Sequence, residues 1–81
     1  MPVPELQQWI AEMARDLVDR PDAVAVEVVE EEGATVFELE VDPEEMGRII
    51  GRQGRTVQAL RTLLALASAR DGRNYELEIL E

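Results

Sequence analysis

Leu6, Trp9, Ile10, Met13 and Leu17 recur at steps of three and four, the spacing that lines side chains along one face of a helix. They predict an amphipathic helix from about 5 to 18, with Pro4 suited to its first position and Trp9 as a core anchor. Arg20, Pro21 and Asp22 then turn the chain. From residue 24 the period changes to two: Val24, Val26 and Val28 share one face, and Ala25, Glu27 and Val29 the other, as in a half-buried strand. A turn over Glu31 to Ala34 leads into a second alternating run. There Thr35, Phe37, Leu39 and Val41 face opposite to Val36, Glu38 and Glu40, completing a hairpin.

Asp42 before Pro43 reads as an N-cap, with Glu45 three residues on and able to reach back as in a capping box. A short helix is expected from 43 to about 50. A longer one from about 55 to 70 buries Val57, Leu60, Leu63, Leu64 and Ala67. Asp71 to Asn74 turn the chain, and Tyr75, Leu77 and Ile79 alternate with Glu76 and Glu78 as a closing strand over 74 to 80. The connection from strand 35–41 to strand 74–80 is long enough for a right-handed crossover between parallel strands. The expected class is α+β, in the order αββααβ, with three helices on one face of a three-stranded mixed sheet. Glu27, Glu38, Glu40, Glu76 and Glu78 then fall on the opposite, solvated face.

Eighty-one residues make one domain spanning 1–81, with its core between about 5 and 80. The net charge of −10 is unevenly spread. Residues 1–45 hold fourteen acids and two arginines, whereas 46–73 hold six arginines and the single acid Asp71. One basic segment sits in an acidic chain. With no His and no Cys, the usual general base, the commonest metal ligand and thiolate chemistry are all missing, and nothing near Ser68, the one serine, could activate it. A non-catalytic protein without cofactor is expected. Helix capping accounts for Asp42, Glu44 and Glu45 without a metal. The start of the chain has no basic, apolar pattern of a signal peptide and no spanning run, so a cytoplasmic location is expected.

Gly51 and Gly54 interrupt what is otherwise a helical pattern in IIGRQGRTVQAL. As bare turn residues they let the chain take positive φ. Their neighbours add chemistry. Ile49 and Ile50 before the loop, with Val57 and Leu60 after it, clamp two helices to the sheet and push the turn between them outward. The new helix offers free N–H groups at its start, and Arg52 and Arg55 add full charges, a combination suited to a phosphate.

This stretch resembles the KH pattern of two aliphatics, G-x-x-G, and aliphatics three and six residues beyond. The order of elements is similar to type II KH domains, and the whole length to the small single-domain bacterial KH proteins of the KhpA kind. The resemblance implies that Gly51, Arg52, Gln53 and Gly54 clamp the backbone of single-stranded RNA. It also implies that bases lie over an aliphatic groove between the helices and the sheet edge, and that the loop at 71–74 is the variable loop. Arg48 and Arg55 flank the G-x-x-G loop and either grip phosphates or pair with Glu44, Glu45 or another surface acid. Where such proteins often carry Lys around this loop, this chain carries Arg. Without an aromatic between Phe37 and Tyr75 to stack bases, sequence specificity is expected to be low, and binding weak and salt-sensitive. An RNA chaperone or post-transcriptional regulator is the role in view. The alternative is a protein-interaction module with little RNA affinity: Ala59, Thr62, Leu66 and Ala69 leave a small-residue apolar strip, and proteins of this kind pair with themselves or with a larger KH-domain partner.

Overall fold

The periodicities translate into six elements in the computed structural model, which describes residues 2–81: α1 (Val3–Leu17), β1 (Ala25–Glu31), β2 (Ala34–Glu40), α2 (Met46–Ile50), α3 (Arg55–Asp71) and β3 (Tyr75–Ile79). β1 and β2 pair antiparallel from Ala25 opposite Glu40 to Glu31 opposite Ala34. β2 and β3 pair parallel from Thr35 opposite Tyr75 to Leu39 opposite Ile79, so β2 is central and β1 and β3 are edges. The fold class expected from the sequence is the one found.

All three helices contribute to a single core against one sheet face. Leu6, Ile10 and Ala14 come from α1, Ile49 from α2, Val57, Leu60 and Leu64 from α3, and Phe37, Leu39, Tyr75 and Leu77 from the sheet. Phe37 and Tyr75 meet edge to face at 5.9 Å between ring centroids, a favoured arrangement of their quadrupoles. Two assignments of the core differ from the sequence reading. Trp9 is only half-buried, because the line of α1 that faces the sheet is Leu6, Ile10 and Ala14, with Ala11 beside it; alanines let the helix approach closely and leave the indole at its flank. Leu63 is 44% exposed, one position beyond the buried stripe of Val57, Leu60 and Leu64.

The start of α2 also departs from the expected helix at 43. Pro43–Glu45 form a 3-10 turn, and regular helix covers Met46–Ile50. Asp42 does cap, its Oδ1 accepting the Glu44 N–H at 2.9 Å. Glu45 does not reach back along its own turn. Its carboxylate is buried and accepts the backbone N–H groups of Asp19 and Arg20, the latter at 2.9 Å, which pins the segment after α1 to the start of α2. A buried carboxylate needs such donors, and the turn after α1 has N–H groups without helical partners.

On the far side of the sheet Glu27, Glu38 and Glu78 stand directly opposite one another across all three strands. Among the described residues no helix is long and apolar enough to cross a membrane.

Candidate nucleic-acid interface

α2 ends where the Gly51 N–H donates to the Gly47 carbonyl at 2.9 Å, and the chain then reverses through one 3-10 turn, Arg52–Gly54, before α3 begins. Gly51 has φ 78° and ψ 169°, a region open essentially to glycine alone. A Cβ on it would stand 2.8 Å from Thr56 Cβ and 2.9 Å from the Thr56 backbone nitrogen, which cannot swing aside. Gly54 is left-handed at φ 72°, with open space around it. Between them Gln53 also takes a left-handed φ of 57°, the one non-glycine among the described residues to do so. The result is a bare, exposed stretch of backbone at the N-terminus of a 17-residue helix whose cap residue offers no side chain. The first N–H groups of α3 and its dipole favour an anion there.

The arginines around this turn are not equivalent. The exposed Arg52 guanidinium makes no hydrogen bond or ion pair among the described residues. Arg55 donates to the Gln53 side-chain carbonyl at 3.1 Å, which ties the loop's left-handed residue to the first turn of α3. Arg48 turns toward acids, pairing with Asp19 at 3.1 Å and approaching Glu45 at 4.0 Å. Of the two roles that its position allowed, ion pairing is the one it takes in the free protein. Both partners of the Asp19 pair are more than half exposed, so it contributes at most about 1 kcal/mol and yields readily to a competing anion. Farther from the loop Arg20 bonds Asp42, which raises the Arg20 pKa. The Asp42 carboxyl is held below its ordinary range, first by the Glu44 N–H and then by Arg20.

Two further features border the helices. Arg61, Leu64, Tyr75, Glu76 and Leu77 line a cleft of about 240 Å³ between α3 and the free edge of β3. Arg61 extends into it and points Nη2 at the Leu77 carbonyl, 3.5 Å away. Arg61 is exposed and falls one turn before the buried Leu64, and periodicity gives no sign of which sheet edge that side of the helix meets. On the opposite flank of α3, Leu6, Trp9, Leu63, Leu66, Ala67 and Arg70 line a wider apolar groove of about 400 Å³. Ser68 serves the fold: it donates to the Leu64 carbonyl and accepts the Tyr75 N–H, both at 2.9 Å, joining the end of α3 to the start of β3.

The KhpA/KhpB, KH domain family profile matches residues 7–79. The chain belongs to this family. The RNA-binding protein KhpA of Aquifex aeolicus is 48% identical over 68 residues, which are 84% of this chain and 86% of the relative. The KhpA of Clostridium acetobutylicum is 39% identical over 75 residues, covering 93% of this chain and all of the relative. Among solved structures, Era of Aquifex aeolicus bound to GDP and AlF4− superposes with a TM-score of 0.58 at 23% identity. The match covers 98% of this chain and 31% of Era, and supports the fold alone. As a KhpA/KhpB KH domain, the chain is not an enzyme.

Proposed function

We propose that this KH domain binds single-stranded RNA in the cytoplasm, gripping the sugar-phosphate backbone at Gly51–Gly54 and acting as an RNA chaperone or post-transcriptional regulator of low sequence specificity. The observation that carries the reading is the Arg52 guanidinium, unpaired among the described residues, beside a bare left-handed backbone at the N-terminus of α3. A phosphate placed there meets amide donors, a helix dipole and a full positive charge together. Gln53 supplies a neutral donor, and Arg55 and Arg48 lie on either side, the latter after exchanging Asp19 for phosphate. The relatives, named as RNA-binding proteins, support the same ligand.

The acidic excess does not forbid this. Charges on the outer sheet face act through solvent, where screening sets in over about 8 Å at physiological salt. The test is the double substitution Arg52→Asp with Gln53→Asp. Binding to a short single-stranded RNA is expected to disappear while the melting temperature stays nearly constant; retained binding would refute the assignment.

A second reading concerns partners. Leu63 and Leu66 are 44% and 64% exposed at the rim of the groove between α1 and α3. Together with the strip of Ala59, Thr62 and Ala69 they give the domain an apolar side suited to a second copy or to a larger KH-domain protein. Sedimentation at rising concentration is expected to reveal a dimer that Leu66→Glu dissociates. A strict monomer unaffected by that change removes the homodimer.

A further inference from the structure

β3 is an edge strand, and its odd-numbered residues turn their backbone groups away from β2: the Tyr75 N–H goes to Ser68 Oγ, and the Leu77 carbonyl faces Arg61. The even-numbered residues supply the other side of the strand to β2, as the Asn74 carbonyl accepting the Thr35 N–H and the Leu80 N–H donating to the Leu39 carbonyl indicate. The free edge therefore lines the cleft with main-chain donors and acceptors. A carbonyl on such an edge would ordinarily accept from an amino group. Here Arg61 reaches toward the Leu77 carbonyl, its Nη2 standing 3.5 Å away, and brings guanidinium N–H donors to the cleft.

Arg61 lies six residues beyond Arg55, about 9 Å along α3 from the loop end at a rise of about 1.5 Å per residue. A strand held by its backbone at Gly51–Gly54 and running along α3 thus brings its bases within reach of this cleft. Leu64 and Leu77 are the apolar residues of its lining, and the Tyr75 hydroxyl is engaged with Asp71. A base entering it meets the polar groups of the β3 edge, Glu76 and Arg61 beside those two leucines.

We infer that Arg61 is a specificity-determining residue, selecting guanine and uracil over adenine at the β3 edge. The inference rests on the RNA-binding reading above. Guanine O6 and uracil O4 are carbonyl acceptors to which guanidinium N–H groups donate, whereas adenine presents an amino donor at the same place. The lining of the cleft adds weight, because among the described residues no other arginine is placed on it.

The experiment compares short single-stranded RNAs of equal length and fixed flanks that differ at one base, binding the wild-type domain and Arg61→Ala. The wild type is expected to favour guanine or uracil over adenine by about tenfold, the effect of one charge-assisted hydrogen bond. Arg61→Ala should bring that ratio close to one, by weakened binding of guanine and uracil. An unchanged ratio in Arg61→Ala overturns the inference. So does an equal loss on every base, which would make Arg61 a phosphate contact. Amide shifts of Leu77 and Glu78 provide an independent readout: they should respond to guanine-bearing strands in the wild type and much less in Arg61→Ala. If the wild type binds none of the strands, the RNA-binding reading itself fails; binding that survives without base preference removes Arg61's role alone.

Discussion

Gly51 and Gly54 occupy similar places in the motif, yet different forces hold them. At Gly51 a side chain would meet both an unfavourable φ and the fixed backbone of Thr56, while at Gly54 it would meet the φ penalty alone. Gly51→Ala is therefore expected to cost at least about 2 kcal/mol or to remodel the loop, and Gly54→Ala about 1 kcal/mol. Urea midpoints of the two variants measure the difference, and equal midpoints would contradict it. Glu45 is the second decisive residue. Removing its carboxylate in Glu45→Ala strips acceptors from the Asp19 and Arg20 N–H groups, at an expected cost of about 1 to 3 kcal/mol. The glycine pair was legible in the sequence because positive φ is a property of single residues. The role of Glu45 was not: the capping-box pattern offered a local partner, and the fold supplied two donors twenty-five and twenty-six residues away.

Among the elements, the sheet carries the clearest unfavourable term. Glu27, Glu38 and Glu78 sit in one cross-strand row, and like charges directly opposite destabilise a pair by a few tenths to about 1 kcal/mol. Glu38→Gln, at the centre of the row, is expected to raise the melting temperature at low salt, with the gain shrinking as salt is added. A lowered melting temperature would mean that Glu38 is held by favourable contacts. The alternation along each strand put these acids on the solvated face, but their register came from pairing and could not be read from any one strand. Periodicity also located α1 and α3 to within a few residues. It missed the margins, Trp9 and Leu63, because a helical stripe gives the angle of a side chain but not the width of the surface packed against it.

For the molecule as a whole, pH stability follows from groups at both ends of the scale. Asp42 and Asp71 have depressed carboxyl pKa values, Asp42 chiefly through the Glu44 N–H and Asp71 chiefly through the Tyr75 hydroxyl. Their contribution is complete above the unfolded value of about 4 and is lost as pH falls through the folded values. Tyr75 is raised, chiefly by burial and then by Asp71, so its contribution is present below about pH 10 and is lost as pH climbs through the folded value. Urea unfolding across pH should accordingly show falling stability on both limbs. Asp42→Asn is expected to flatten the acid limb and Tyr75→Phe the alkaline one. An alkaline limb unchanged by Tyr75→Phe would place that titration elsewhere.

Residue types and their spacing alone determined the succession of helices and strands, the glycine-broken loop with its arginines, and the absence of histidine and cysteine chemistry. These follow from local backbone preference and periodicity, which a linear sequence carries in full. Tertiary structure decided which charges remain available: it tied Arg48 to Asp19, left the Arg52 guanidinium without a partner among the described residues, and laid Arg61 against the edge of β3. Those choices depend on which distant segments packing brings within a few ångströms, where electrostatic and hydrogen-bond energies become large enough to select a partner.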